Sequence, residues 1–318
     1  MKSLIIKKKS VFLNSLITPL IVLILLLMLR SFIPLFKIID IVGFLIFVIG
    51  YNIIFGYLGL FSLGHMTYFG LGAYILALYL KFVRPSIFEA MIISAMTVAG
   101  ISGLIMFLIV RLRTAFFALA NLAFNHLFYF LILIPLAKYT GGEDGLPVII
   151  VSQSGLNLND RYTLFWFSMF ILSLIIIVMC LFEKTLFHKV LISIKENETR
   201  TLFLGYNTKG IKIITYIVSA IVSSIGGMIV AINNGYVTPT FISPYRNPEV
   251  IFATLLGGPG KVYGAIVGGF TYSLLSFWIA TIIQTWELFL GVGVLIIIFI
   301  FKGGIYEMVS RMVKRRES

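Results

Sequence analysis

Long apolar runs separated by short polar stretches dominate the chain. Runs of this length are typical of helices that cross a hydrocarbon layer roughly 30 Å thick. They predict about ten membrane helices, near residues 11–29, 38–56, 63–80, 88–110, 115–137, 162–182, 213–233, 248–259, 262–283 and 286–302. The run 248–259 is too short to span alone, which leaves open whether it crosses or is re-entrant. We predict an all-α, polytopic integral membrane helix bundle.

Composition supports this class. Hydrophobic residues make up 60% of the 318 and charged residues 12%, which is more apolar surface than a soluble domain can bury. The lone cysteine, Cys180, lies in an apolar run, so the sequence predicts neither a disulfide nor a thiolate metal site. The basic start and the apolar run after it resemble a signal peptide. That run is too long and lacks a small-residue cleavage site, so we predict a retained first helix.

Charge distribution predicts the orientation. The formal net charge is +13. With the N-terminus inside, alternation of the predicted helices assigns 18 of the 25 Lys and Arg residues, but only five of the 12 acids, to the inner side. Positive residues concentrate on the cytoplasmic side of membrane proteins, so both termini are predicted to be cytoplasmic. The basic clusters then serve as orientation signals and contacts with anionic membrane lipid, and no nucleic-acid partner is needed.

One segment, residues 183–212, is much more polar than the helices beside it and is the longest predicted cytoplasmic loop. Val190, Leu191 and Ile194 have the spacing of a short amphipathic helix. Glu196 and Arg200 stand four apart, as in a helical ion pair, and Gly205 can end the turn. A solvated connector, a helix on the membrane surface and a docking segment all remain possible.

Chemical motifs argue against an enzyme. The stretch "GGPGKVYG" has Gly260-Lys261 but Val262 where a phosphate loop requires Ser or Thr, so no nucleotide site is predicted. The three histidines form no zinc-binding pair, and the chain has no Gly-x-Ser-x-Gly elbow. Asp144, flanked by glycines, indicates a turn. We therefore predict no catalytic residue and no metal site. An ion-coupled carrier is possible but lacks obvious intramembrane ionisable residues.

Small and polar residues within the spans are more informative. Glycine and serine stripes at 56–74 and 218–228 predict close helix packing, and glycine-broken helices can also line a solute path. Polar side chains in spans usually just bond to neighbouring helices. Asn121 and Asn125 are four apart on one helix face and, with His126, form the most polar patch within a predicted span. The translocation-path candidates are Ser62, Gly64, His65, Asn121, Asn125 and His126.

Several motifs occur together in a recognisable order. They are "GYLGLFSLGHMTYFGLGAY" at 56–74, "RLRTAFFALANLAF" at 111–124, "TGGEDGL" at 140–146, "KENETRTLFLGYNTKGIK" at 195–212, "FATLLGGPGKVYGAIVGG" at 252–269 and "FKGGIYEMV" at 301–309. Over residues 40–309 the chain resembles the M-type permease subunits of branched-chain amino-acid ABC importers.

The resemblance implies a multi-pass permease in a prokaryotic inner (plasma) membrane, with a cytoplasmic N-terminus at 1–10, a permease domain at 11–309 and a basic tail at 310–318. It implies a second homologous permease subunit, two ATPase subunits that bind ATP and Mg²⁺, and an extracytoplasmic solute-binding protein. This chain would hold no cofactor. The loop 183–212 would be the ATPase-coupling loop, with Lys195, Glu196, Asn197, Glu198, Arg200 and Gly205 as its characteristic residues.

Departures from the family pattern leave the solute open. Arg200 and Thr201 stand where the family usually has two alanines, and Asn121 stands where it commonly has threonine. Branched-chain amino acids are the default expectation. Urea, short amides or another small solute of the same ABC family are alternatives. A sugar or nucleoside ABC permease and an ion-coupled secondary carrier are less well supported.

Overall fold

The computed structural model describes residues 18–150, 157–282 and 291–292. The long helices are α1 (Thr18–Leu29), α2 (Leu35–Asn52, continued by a π-helix at Ile53–Tyr57), α3 (Met66–Phe82), α4 (Ile87–Ile109), α5 (Thr114–Leu133), α7 (Arg161–Phe182), α10 (Thr208–Asn234) and α12 (Val262–Ile282). The shorter helices are α6 (Ala137–Thr140), α8 (Leu186–Glu196), α9 (Glu198–Phe203) and α11 (Asn247–Gly257). The predicted helical membrane fold is confirmed.

Within the described part of the chain, six helices are long and apolar enough to cross a membrane, and α1 and α3 are shorter apolar helices. The predicted tenth helix, at 286–302, lies outside the described residues apart from 291–292, and the predicted first helix is described only from Thr18. The predicted short segment at 248–259 is α11. Its 11 residues extend about 16 Å, roughly half the thickness of the hydrocarbon layer.

One small ladder departs from the all-α prediction. Strand β1 (Leu146–Pro147) pairs antiparallel with β2 (Tyr236–Val237). The glycines of the predicted "TGGEDGL" turn adopt positive φ, at 80° for Gly141 and 78° for Gly145, which confirms the turn. The Tyr236 hydroxyl donates to the Asp144 carbonyl at 2.6 Å and holds this turn against the end of α10.

The alternation of helices gives the bundle two ends. The "loop end" holds residues 57–62, 110–113, 183–207 and 258–261. The "opposite end" holds residues 30–34, 83–86, 134–150, 157–160 and 235–243. Helix α2 runs to the loop end, where the chain turns back through irregular residues before α3 starts. Helix α10 runs to the opposite end, where the chain turns back in the same manner before α11 starts.

Small residues let the central helices approach closely, as the sequence predicted. Helix α10 packs on α2, α3 and α4. A β-carbon on Gly227 would overlap the Phe69 carbonyl, and one on Gly72 would meet Ser224. Among the described helices, α2 is the most deeply buried of the six that could span the membrane, with 83% of its apolar window inside the protein. Helices α2 and α10 therefore form the centre of the bundle.

Candidate coupling loop and translocation site

The predicted coupling loop folds as two short helices. Thr185 caps α8, since its hydroxyl accepts from the His188 amide at 3.2 Å. Leu191 and Ile194 are buried, which confirms the predicted apolar stripe. Asn197 adopts an extended conformation, with φ −158° and ψ 98°, and its side chain accepts from the Arg200 amide at 2.9 Å. Asn197 therefore ends α8 and caps α9.

The break at Asn197 overturns one prediction. Because Glu196 belongs to α8 and Arg200 to α9, they do not share the continuous helical turn that an ion pair four residues apart requires. Both residues are exposed. The predicted turn at Gly205 is confirmed: α9 ends at Phe203, and Gly205 has φ +91°, a conformation that favours glycine at this position after a helix.

Two lysine contacts fasten the loop to the bundle. The Lys195 ammonium donates to the Gly56 carbonyl in the π-helix at 2.8 Å. Removal of this ammonium from water lowers the pKa of Lys195, and neighbouring Glu196 acts in the opposite direction. The Glu198 carboxylate pairs with Lys212 of α10 at 2.5 Å. Since Lys212 is buried, this ion pair holds the start of α9 against α10.

The end of α9 presents an apolar surface. Leu202, Phe203 and Leu204 are consecutive, and Phe203 and Leu204 are 85% and 68% exposed. Single exposed apolar residues are ordinary, whereas adjoining ones mark interaction surfaces. This "apolar tip" stands beside the two fastenings to the bundle and belongs to the most polar segment of the described chain.

A half-buried carboxyl group joins three elements at the loop end. One oxygen of Glu183, Oε1, accepts from the Tyr57 hydroxyl at 2.8 Å and from the Val262 amide at 2.7 Å. Burial raises the pKa of Glu183 despite these donors and the nearby Lys261. This residue ties the end of α7 to the end of α2 and the start of α12.

Deeper in the bundle, two helix starts meet. The Met66 amide at the start of α3 donates to Asn247 Oδ1 at the start of α11, at 3.0 Å. Asn247 Nδ2 donates to Asn125 Oδ1 at 2.7 Å, and Asn125 Nδ2 donates to the Ile242 carbonyl at 2.9 Å. Irregular backbone is tolerated at membrane depth only where protein or water satisfies it. Asn125 and Asn247 provide such hydrogen bonds to the backbone here.

A second polar cluster lies on α10. The Tyr68 hydroxyl donates to the Tyr216 hydroxyl at 2.8 Å, and Tyr216 donates in turn to Asn121 Oδ1. His65 Nε2 lies 2.9 Å from the Ser219 hydroxyl. His65 Nδ1 has no hydrogen-bond partner within the described part of the chain. An unsatisfied donor or acceptor of this kind is costly in an apolar interior, so His65 Nδ1 can still bond with a polar group that enters the cluster.

The predicted path residues thus divide into two groups. The first group is buried and consists of Ser62, His65, Asn121 and Asn125, together with Gly64. Gly64 lies so close to α5 that a β-carbon on it would overlap the Asn121 carbonyl. The structure brings these five residues to the same region, between α3, α5 and α10. His126 is exposed and does not join them, because the residue after Asn125 points about 100° away around the helix.

Sequence reasoning missed three members of this region, namely Tyr216, Ser219 and Asn247. For Ser219 the sequence predicts only a role in helix packing. Asn247 carried a local signal: it stands before Pro248 at the start of a predicted short helix, where an asparagine commonly satisfies free backbone amides. No group of three or more His, Cys, Asp or Glu side chains suitable for a metal ion occurs among the described residues.

Comparison with known proteins gives a consistent identification. Residues 33–301 match the sequence model of a family described as "Branched-chain amino acid transport system / permease component". The chain is 23% identical over 248 residues to the high-affinity branched-chain amino acid transport system permease protein LivM of Escherichia coli (strain K12), and equally to LivM of Salmonella typhimurium (strain LT2). The alignments cover 70% of this chain and 58% of each relative.

No solved structure matches the chain significantly. The matched segment extends from just before α2 beyond the last described residue. It therefore includes the coupling loop, both irregular turns and the asparagines at the helix starts. The chain belongs to the family of branched-chain amino acid transport system permease components.

Proposed function

We propose that this chain is one permease subunit of an ATP-driven importer in a prokaryotic inner membrane, where it moves branched-chain or related hydrophobic amino acids by alternating access. A second homologous permease subunit completes the pore, and an extracytoplasmic binding protein delivers the solute. Two separate ATPase subunits bind ATP and Mg²⁺. Family membership and the printed function of the LivM relatives support the solute class.

The observation that carries this proposal is the apolar tip of α9. Phe203 is 85% exposed in a segment that Lys195 and Glu198 fasten to α2 and α10. A docking helix must be rigidly joined to the helices that it moves, because a loose segment would absorb the displacement. An exposed aromatic beside rigid contacts fits an ATPase groove better than it fits a solvated connector.

The solute path in this proposal runs past the helix starts of α3 and α11. Discontinuous helices whose ends meet near the membrane midplane are a common construction of transporter binding sites. Ser62, His65, Asn121 and Asn125 supply hydroxyl, imidazole and amide groups there. Movement of α10 relative to α2 would separate Ser219 from the Gly50 carbonyl, which it now contacts at 2.6 Å, and would open the cluster.

The test is recovery of ATPase subunits with this chain after gentle solubilisation of its own membranes. Phe203→Ser should reduce recovery on the order of tenfold, the loss expected for an aromatic anchor of an interface. The matched control is Leu112→Ser, because Leu112 is also exposed, at 41%, on a different segment of the loop end. Equal size-exclusion profiles of the two variants would show that both fold.

Vesicle uptake then separates the remaining alternatives. Uptake of leucine that requires the ATPases and ATP supports the proposal, and competition by urea or acetamide instead of isoleucine would change the solute class. Uptake in vesicles that contain this chain without any ATPase would favour an ion-coupled carrier. Full recovery of the ATPases with Phe203→Ser would remove the coupling role of α9.

A further inference from the structure

A cavity that none of the predicted path residues lines opens at the opposite end of the bundle. Its volume is about 260 Å³, and it lies between α2, α10, α12 and the irregular segment that leads into α11. Small-molecule sites generally measure roughly 300–1,000 Å³, so this cavity suits a solute smaller than a peptide. Its lining residue Arg246 directly precedes Asn247, which places the cavity next to the meeting helix starts.

The cavity wall carries balanced charges. Lys37 and Asp40 approach to 4.0 Å, and Arg246 holds Glu249 through two bonds of 2.7 and 2.9 Å. These four side chains line the cavity and together carry two positive and two negative charges. They remain accessible, with Lys37 and Arg246 each 40% exposed. A solute with a net charge could pair with only the positive or only the negative side chains of this set. A zwitterion can pair with both.

The rest of the lining combines aromatic and aliphatic side chains with five uncharged polar ones, Asn234, Thr238, Thr240, Ser273 and Ser276. Phe69 and Phe241 stack with ring centroids 5.8 Å apart, and Phe44 stacks on Tyr272 at 5.5 Å. All four rings line the cavity. Apolar walls with a few convergent polar groups are the usual composition of small-molecule sites. The aromatic part of the lining therefore complements a hydrophobic side chain, and the charged and polar part complements a polar head.

We infer that this cavity is an entry site for a zwitterionic α-amino acid with an apolar side chain. The solute carboxylate faces Arg246 and Lys37, and its ammonium faces Asp40 and Glu249. The aromatic rings receive its side chain. This inference rests on the proposed function for the solute class and adds a site, and residues, outside the predicted path. The zwitterionic head of phosphatidylethanolamine has related chemistry and is the alternative source of such a ligand.

The test is protection of an introduced thiol. Thr238 lines the cavity, and Cys180 is the one native cysteine, so Thr238→Cys in a Cys180→Ala background provides a single reactive site. The assembled transporter is reconstituted in phosphatidylglycerol nanodiscs, and the rate of maleimide labelling is measured. Leucine at ten times its dissociation constant should slow labelling about tenfold by occupancy. Isoamylamine and 4-methylpentanoic acid each lack one charge and should leave the rate unchanged.

Variants of the charged wall identify the contacts. Arg246→Gln should raise the leucine concentration for half-protection on the order of tenfold, the loss of a charge-assisted bond. Lys37→Gln should also raise it, and it is the safer variant for folding because Lys37 makes a 4.0 Å ion pair, whereas Arg246 makes two hydrogen bonds to Glu249. Arg161→Gln is the matched control, since Arg161 lies at the same end of the bundle but does not line the cavity. Lys138→Cys provides a thiol at that end outside the cavity.

The outcomes separate this inference from the proposed function. Leucine uptake without protection at Thr238→Cys overturns the site and leaves the function standing. Protection without ATP-dependent uptake supports the site and removes the function. Protection by phosphatidylethanolamine nanodiscs alone, with no effect of leucine, assigns the cavity to lipid and overturns the inference. Equal protection by leucine and isoamylamine would also overturn it, because the carboxylate would then have no partner.

Discussion

At the scale of single residues, glycines set how closely the central helices approach. Gly227 of α10 faces the Phe69 carbonyl without space for a β-carbon, whereas Gly100 of α4 has open space around that position. Gly227→Ala should destabilise the fold by about 1–3 kcal/mol, as overpacking does. Gly100→Ala should be neutral or stabilise it by up to about 1 kcal/mol through helix propensity. Thermal unfolding of the two variants in detergent measures the contrast, and equal melting temperatures would contradict it.

Glu183 gives a prediction that depends on pH. Burial raises the pKa of this carboxyl, so the folded state binds a proton more tightly than the unfolded chain does. Its contribution is therefore most favourable below the ordinary carboxyl pKa and declines as pH rises through the raised value. In Glu183→Gln the amide oxygen can still accept from Tyr57 and Val262, because both bonds use Oε1.

We therefore expect Glu183→Gln to match or exceed the wild type in melting temperature at pH 8. The advantage should shrink or reverse as the wild-type carboxyl becomes protonated towards pH 4. Glu183→Ala, which leaves both donors without this acceptor, should be destabilised at every pH by about 1–3 kcal/mol. A wild-type melting temperature that rises relative to Glu183→Gln with increasing pH would contradict the predicted sign.

Sequence reasoning found four polar side chains of the buried polar region at this scale. Ser62, His65, Asn121 and Asn125 were recognisable because a polar side chain in an apolar run needs a partner. Their partners were not recognisable. Tyr216 is 95 positions from Asn121, and Asn247 is 122 positions from Asn125. Only the packing of α3, α5, α10 and α11 determines which polar groups meet.

At the scale of elements, the coupling loop was predicted as helical but not as two helices. The spacing of Val190, Leu191 and Ile194 was sufficient to predict α8. The break was hidden because "KENETR" has charges at helical spacing, and Asn197 satisfies the Arg200 amide in a way that the spacing does not show. A cap residue within a helix-compatible run ends one helix and starts the next, as Asn197 does between α8 and α9.

The residue that caps α9, Asn197, gives a testable prediction. Asn197→Ala removes the acceptor for the Arg200 amide and should destabilise the α8–α9 turn by about 1 kcal/mol. It also favours one continuous helix, so ATPase recovery should fall. Asp160→Ala is the matched control, because Asp160 caps α7 through the Thr163 amide at 2.9 Å at the opposite end. It should lower the melting temperature by a similar amount while leaving ATPase recovery unchanged.

At the scale of the whole molecule, two units of similar construction run in opposite directions. In one, α2 leads through an irregular turn to α3 and α4. In the other, α10 leads through an irregular turn to α11 and α12. Helix α10 packs on α4, and α2 packs on α12. This arrangement could not be predicted from the sequence. The charged cavity could not be predicted either, because Asp40 and Glu249 lie near the ends of separate helices in the sequence and only the packing of α2 and α11 brings them together.

The numbers of charged residues at the two ends predict how the molecule is oriented in the membrane. Among the described residues, the loop end carries seven Lys and Arg residues against three acids, and the opposite end carries three against three. Orientation follows the positive residues, so the loop end should face the cytoplasm. Arg200→Cys and Lys138→Cys, each in the Cys180→Ala background, place one thiol at each end.

A membrane-impermeant maleimide applied to intact spheroplasts should label Lys138→Cys and should label Arg200→Cys only after permeabilisation. Both positions are exposed, so equal labelling after permeabilisation controls for reactivity. The reverse pattern would place the apolar tip of α9 outside the cell, where no ATPase could bind it, and would put the proposed entry site on the cytoplasmic side. The coupling loop and the entry site therefore depend on the same labelling result, because the fold puts them at opposite ends of one bundle.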